Sequence, residues 1–118
     1  MTNEAKLPEI TAEQFFAVDV RVGVVVEAKV FAEAKKPAYQ IWVDFGDGIG
    51  IKKTSAQVTV HYTPETLKGR KVLGWVNAAP RQIGPFMSEF LILGVHDEAG
   101  AVCLIQVDRD VPVGGRMC

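Results

Sequence analysis

Between residues 18 and 30, Val18, Val20, Val22, Val24 and Val26 occupy every second position, alternating with Asp19, Arg21, Gly23, Val25 and Glu27. A period of two carried by β-branched residues fits a strand with one face buried, and it does not fit a helix. Such a run exceeds the usual strand of roughly five or six residues and has to coil. Gly23 interrupts the second face near its middle, where a bend or bulge belongs. Closing a small β-barrel requires a kink of this kind.

The following segments continue in the same pattern. Tyr39, Ile41, Val43 and Phe45 alternate with Gln40, Trp42 and Asp44, which predicts a second strand with Trp42 on the face away from the core. A tryptophan so placed either stacks on a ligand or partner or is covered by loops, and both readings fit. Residues 31–37 are small and charged and predict a loop. Gly46-Asp47-Gly48 signals a hairpin turn into a short third strand, residues 49–53. Thr54-Ser55 then predicts a helical turn with Ser55 as its N-cap, running through Val58. A second helical turn is predicted with Thr63 at the N-cap, Pro64 at N1 and Lys68-Gly69 as the stop. Near the N-terminus, Thr11 and Gln14 form a capping box ahead of Phe15 and Phe16, which either close the core or pack on another subunit; residues up to Ile10 are expected to fray.

Further strands are predicted over 70–76, 90–95 and 101–107, the last two joined by a turn at 96–100, with a Pro/Gly-rich closing segment over 108–118. The order is five or six short coiled β-segments with a helical insert between the third and fourth. That is the outline of an all-β, five-stranded oligonucleotide/oligosaccharide-binding (OB) barrel with short helical inserts. A sandwich usually needs more strands. A chain of 118 residues makes one domain, residues 1–118, with 1–14 as an N-terminal extension.

Composition narrows the function. No apolar run approaches the roughly 20 residues that span a bilayer, and Met1 to Lys6 has neither the basic flank nor the apolar stretch of a signal peptide; a cytoplasmic protein is expected. The net charge is −1, but it is uneven. Residues 1–50 hold five bases against eight acids, residues 51–90 six against two, and residues 91–118 two against four. The middle third is therefore positive between two acidic flanks, enough for a weak phosphate-facing surface or simply an uneven solvated one. Cys103 reads as a small buried hydrophobe and Cys118 as a chain-terminal residue, so no disulfide framework is expected. His61 and His96 lack partners at metal-ligand spacing, and no metal or other cofactor is expected. Ser55 and Ser88 are not in a nucleophile elbow, and His61 has no catalytic company in sequence; no catalytic residue is assigned and no enzyme is expected.

The stretch between Asn77 and Gly94, NAAPRQIGPFMSEFLILG, is where recognition is expected. It sets Asn77, Arg81, Gln82, Ser88 and Glu89 among Pro80, Gly84, Pro85 and Phe86, polar groups held between strand ends. With Lys52 and Lys53 it offers cations for phosphates, hydroxyl and amide groups for base edges, and a ring for stacking or for an apolar peptide pocket. An architectural reading fits equally: Asn77 and Pro80 build the turn, Ser88 caps it and Phe86 plugs the barrel mouth.

These motifs carry a resemblance. Residues 19–28 (DVRVGVVVEA), 43–59 (VDFGDGIGIKKTSAQVT), the 62–69 connector and NAAPRQIGPFMSEFLILG together resemble the family of tRNA-binding OB domains, which occur free-standing and as appendages of methionyl- and phenylalanyl-tRNA synthetases. The resemblance is strongest to the family's export-related chaperone branch and spans Phe15 to Gly115. It implies an OB barrel working as a homodimer paired through its N-terminal helix and C-terminal segment. It also implies binding of tRNA and, for the chaperone branch, of unfolded or export-destined polypeptides. By position, Asn77, Pro80, Arg81 and Ser88 match the family's binding loop, and Lys52, Ser55 and Gln57 match the chaperone-type segment. The tRNA-binding branch reads Ser-Gln-Gly-Met where this chain has Ser88-Glu89-Phe90-Leu91, and its His-Pro-x-Ala-Asp-Lys loop is replaced by residues 31–37. Both departures favour peptide handling over tight tRNA binding.

Overall fold

The computed structural model describes residues 4–118, so the predicted fraying of residues 1–3 lies outside it. The elements run α1 (Ala12–Phe15), β1 (Val20–Val30), β2 (Tyr39–Asp44), β3 (Ile51–Ala56), α2 (Pro64–Leu67), β4 (Lys71–Trp75), β5 (Arg81–Ile83), β6 (Phe86–Ser88), β7 (Leu91–Ile92), β8 (Gly94–His96) and β9 (Val102–Leu104). One antiparallel sheet has the order β3-β2-β1-β4-β7. Its two edges meet just ahead of β7. There the Glu89 amide donates to the Lys53 carbonyl at 2.8 Å, and the Lys53 amide donates to the Glu89 carboxylate at 3.1 Å. The result is a nearly closed five-stranded barrel with α2 between the third and fourth strands, the OB-fold.

The core fills with Ile41, Val43 and Phe45 from β2 and its end, Val25 from β1, Val72 from β4, and Leu67 from α2, each at most 1% exposed. The predicted alternation of β2 holds, but the face of β1 is reversed. A Cβ on Gly23 would sit 2.4 Å from Val43 Cγ1 and 2.8 Å from the Phe45 ring, so Gly23 faces the interior. Val25 and Ala28 share that interior, paired with Val43 and Ile41 across a bulge between Val25 and Glu27. Val20 and Val22 point the other way. They are nevertheless buried, because the closing segment covers them: Gly114 donates to the Val22 carbonyl, Val22 to Gly115, and Met117 to Val20, all at 2.8–2.9 Å. An outer face that is itself covered looks, in sequence, like the core face.

The predicted helical turn at Thr54-Ser55 is also corrected. These residues extend β3, with Ile41 opposite Thr54, Gln40 opposite Ser55 and Tyr39 opposite Ala56. Thr54 points inward at 1% exposure, and its hydroxyl lies 2.9 Å from Ser88 Oγ and donates to the Phe90 carbonyl at 2.7 Å. Ser55, the predicted N-cap, and Ala56 after it are paired to Gln40 and Tyr39 of β2, so the residues that would open the helix are held in the ladder.

Both other helix expectations stand. Thr11 and Gln14 exchange side chain-to-backbone hydrogen bonds at 3.1 and 2.8 Å. Thr63 and Thr66 do the same at α2, with Gly69 taking φ +87° just beyond it. Phe15 and Phe16 pack edge to face on each other, yet 46% and 37% of their surfaces are exposed. They do not close this chain's core.

Candidate ligand-binding groove

The recognition stretch is more ordered than a loop. Residues 81–88 form a hairpin in which Arg81 pairs with Ser88, Gln82 with Met87 and Ile83 with Phe86. Gly84, at φ +56°, makes its turn. The hairpin is anchored by Phe86, 6% exposed, whose ring centre lies 5.5 Å from that of Phe31 and 6.0 Å from that of Trp42. These rings, with Ala38, Ala34 and Ile83, make a second apolar cluster on the outer face of β2. The orientation of Trp42 is thereby settled: it faces outward and the hairpin covers it. Lys53 Nζ sits 5.0 Å from the Phe86 ring centre and Lys29 Nζ 5.4 Å from that of Trp42, so both cations meet ring faces.

Beside the hairpin a groove of about 730 Å³ opens between the β1–β2 loop, the end of β3, the hairpin and the β7–β9 region. Its walls are apolar where Ala38, Val58, Ile83, Leu91, Ile92 and Val102 reach it. Its charged residues are Lys35, Lys36 and Arg81 against Glu33, and His96 also lines it. None of the three cations is in an ion pair among the described residues. A trough with apolar walls and unpaired cations can accept an extended chain whose charged or carbonyl groups meet the cations while its apolar groups meet the walls.

The structure separates the sequence-predicted residues. Ser55, Gln57 and Arg81 line the groove together, and Pro80, exposed, immediately precedes Arg81. Lys53 lies on the outer face of β3, opposite Trp42. Lys52 does not join them: it pairs with Val43 and belongs to the inward series at the barrel's open end. Asn77 is engaged as a staple. Its Oδ1 accepts from the Asp19 amide at 2.9 Å and from Trp75 Nε1 at 2.6 Å, and its Nδ2 donates to the Ala17 carbonyl at 2.9 Å. Ser88, 9% exposed, is held by Thr54. Asn77, Phe86 and Ser88 therefore act on the architecture that carries the groove. Glu89 places its carboxylate on the β3 backbone, which ties down the charge that the sequence set against nucleic acid.

Lys35 and Lys36 were missed as rim residues. Their signal was a basic pair ahead of Pro37, in a loop with no strand or helix pattern of its own. The Ser88 hydroxyl is bonded by Thr54 and the Phe90 carbonyl, and among the described residues no histidine or carboxylate bonds it. Elsewhere, His61 Nε2 lies 2.6 Å from Asp97 Oδ2. The His61 hydrogen bond, followed by that from the Ala101 amide, holds the Asp97 carboxyl below its ordinary 3.8. Among the described residues, no helix is long and apolar enough to cross a membrane.

An OB barrel with a basic-rimmed groove defines a class of binding modules, and the sequence agrees: residues 20–116 match the family described as "Putative tRNA binding domain", to which this chain belongs. Among solved structures it is similar to the CsaA chaperone protein of Picrophilus torridus, with 40% identity, a TM-score of 0.87 and coverage of 93% of this chain and 100% of that one. It is likewise similar to the chaperone CsaA of Bacillus anthracis, with 39% identity, a TM-score of 0.87 and coverage of 94% and 100%. The methionine–tRNA ligase of Methanocaldococcus jannaschii is 33% identical over 112 residues, which is 95% of this chain but 17% of the ligase. The chain thus spans about a sixth of the length of the ligases it matches.

Proposed function

We propose that this protein is a non-catalytic, cytoplasmic binding protein of the CsaA type that holds extended segments of unfolded or export-destined polypeptide in the groove. The observation that carries this reading is the groove itself: about 730 Å³ lined by Ala38, Val58, Ile83 and Ile92 for apolar groups, with Lys35, Lys36 and Arg81 for acidic or carbonyl groups. The similarity to CsaA chaperones over the full length of those chains supports it.

A second ligand, tRNA, is favoured by the same unpaired rim cations and by the family. Three phosphate contacts would give a plot of log affinity against log salt a slope of roughly −2 to −3. Polypeptide held on the apolar floor would depend on salt much less. Fluorescence anisotropy with a reduced, alkylated, unfolded polypeptide separates the two. The expected result is micromolar binding that survives added salt and weakens several-fold in Ile83→Ser. Absence of binding at tens of micromolar protein overturns the chaperone reading. A gel shift with bulk tRNA that fades with salt, and fades further in Arg81→Ala, supports the second ligand; a salt-independent shift rejects it.

We further propose that the working unit is a homodimer. Leu7, Ile10, Phe15 and Phe16 expose 83%, 61%, 46% and 37% of their surfaces. Phe16 also borders a hollow with Arg116, Met117 and Cys118. A two-fold pairing of this end would bury them and place two grooves on one particle, with a gain in avidity for a ligand that spans both. Light scattering should give twice the 12.9 kDa of the chain.

A further inference from the structure

On the opposite side of the β8–β9 hairpin from the groove's apolar floor, three ligand-type side chains from distant parts of the sequence converge. His61 stands just ahead of α2, Asp97 in the turn after β8, and Cys103 in β9. One ligand atom from each, an imidazole nitrogen, a carboxylate oxygen and the sulfur, lies within 4.8 Å of both others. We propose that His61, Asp97 and Cys103 form a three-ligand site for a zinc-class divalent cation that fastens the β8–β9 hairpin to the connection between β3 and α2.

The donors are oriented for this. Asp97 Oδ1 accepts from the Ala99 and Ala101 amides at 3.0 and 2.9 Å, which fixes the carboxylate and leaves Oδ2 directed at His61 Nε2, 2.6 Å away. Bonds of about 2.0 Å to nitrogen and oxygen and 2.3 Å to sulfur set tetrahedral donors roughly 3.3–3.6 Å apart. The imidazole therefore has to back off the carboxylate by less than about an ångström. Its side chain is 45% exposed and has the room. The two segments are already joined beside the site, where the Leu104 amide donates to the Tyr62 hydroxyl at 2.9 Å. The segments that carry the donors are thus joined before any cation arrives, and the Cys103 sulfur, within 4.8 Å of the other two, closes the remaining distance on binding.

The donor set also selects the ion. One nitrogen, one oxygen and one sulfur suit Zn²⁺ or Co²⁺ and not the oxygen-seeking Mg²⁺ or Ca²⁺. Binding displaces the Cys103 thiol proton to solvent, so a neutral imidazole, a carboxylate and a thiolate together balance the dication. Three protein ligands at a partly exposed position leave the fourth to water. The neighbours of these ligands reach the groove: His96, Gly100 and Val102 all line it. A bound cation would stiffen that wall.

The test is a Co²⁺ titration of the untagged, reduced full chain, followed by visible absorption. The expected result is one Co²⁺ per chain, with tetrahedral d–d bands and a thiolate-to-cobalt charge-transfer band, all displaced by Zn²⁺ and unaffected by Mg²⁺. Cys118→Ser should leave the spectrum unchanged and Cys103→Ser should abolish the charge-transfer band. Asp97→Asn keeps an oxygen for the Ala99 and Ala101 amides and so preserves the turn, yet it should weaken affinity at least tenfold, as should His61→Ala at its exposed position. No thiolate band in the unmodified chain overturns the proposal. So does a band that survives Cys103→Ser but vanishes in Cys118→Ser, or an Asp97→Asn variant that binds as tightly as the parent.

Discussion

Replacing Phe86 distinguishes an anchor from a stacking ring. Phe86 is 6% exposed and packs against Phe31 and Trp42. Burying a phenylalanine and then deleting its ring removes the transfer free energy and leaves a cavity, for a total of about 3–5 kcal/mol. The Phe86 cluster is a small satellite of the main core, with Trp42 only half-buried, so Phe86→Ala should fall at the lower end, about 3 kcal/mol. Because the ring pins the hairpin more than the barrel, much of that loss should be local. Amides in the Arg81–Ser88 and Ile83–Phe86 pairs should exchange about a hundredfold faster, since each 1.4 kcal/mol is worth about a factor of ten. Phe86→Leu retains most of the volume and should cost about 1–1.5 kcal/mol while leaving ligand affinity nearly unchanged. A ring that stacked on a base would lose about 1–3 kcal/mol of binding on the same change. Native-state hydrogen exchange and urea unfolding, read through the adjacent Trp42, make both measurements. Unchanged hairpin exchange in Phe86→Ala, or loss of tRNA binding in Phe86→Leu at unchanged stability, would refute an anchoring role for Phe86.

Three other perturbations probe the frame that holds the groove. Gly74→Ala would put a Cβ 2.7 Å from Phe45 Cζ and 2.9 Å from Phe90 Cδ2, in the packed middle of the barrel; a loss of about 1–3 kcal/mol in urea unfolding is expected. Thr54→Val keeps the shape but strips the hydroxyl that joins Ser88 to the Phe90 carbonyl, and should cost about 1–3 kcal/mol by the same assay. Lys71 Nζ lies 2.6 Å from Asp110, and its hydrogen bond holds that carboxyl below the ordinary 3.8. With the folded value depressed, the pair's contribution is present above the unfolded value and fades as acid titrates Asp110 below it; carbon-detected NMR titration should show the midpoint returning toward 3.8 in Lys71→Met.

Local chemistry was readable wherever one residue acts on its near neighbours. The capping pairs Thr11–Gln14 and Thr63–Thr66, the Gly69 stop and the alternation of β2 all depend on residues within a few positions, and all are found. What depended on distant chain was not readable. The inner face of β1 was misassigned because the closing segment buries Val20 and Val22 from outside, so both faces carry valine. Thr54-Ser55 reads as a helix start with Ser55 as cap because the strand that pairs with it, β2, lies more than ten residues away, and the partner of the Thr54 hydroxyl, Ser88, lies 34 residues away. The stretch from Asn77 to Gly94 reads as a loop in sequence, whereas its hairpin hides Phe86 and Ser88 and presents Arg81, a division that only pairing geometry reveals. His61 has no second ligand at helical or CxxC spacing and meets Asp97 and Cys103 through topology alone.

Extended ligands are proposed to occupy the groove between the β1–β2 loop, the end of β3 and the β5–β6 hairpin. Chemical-shift mapping of the ¹⁵N-labelled chain with an unfolded polypeptide tests this occupancy most directly. The largest shifts are expected at Lys35, Lys36, Gln57, Arg81, Ile83 and Ile92, with the closing segment around Gln106 to Val111 silent. Shifts confined to that segment, or to the inward-facing end around Lys52, would contradict it.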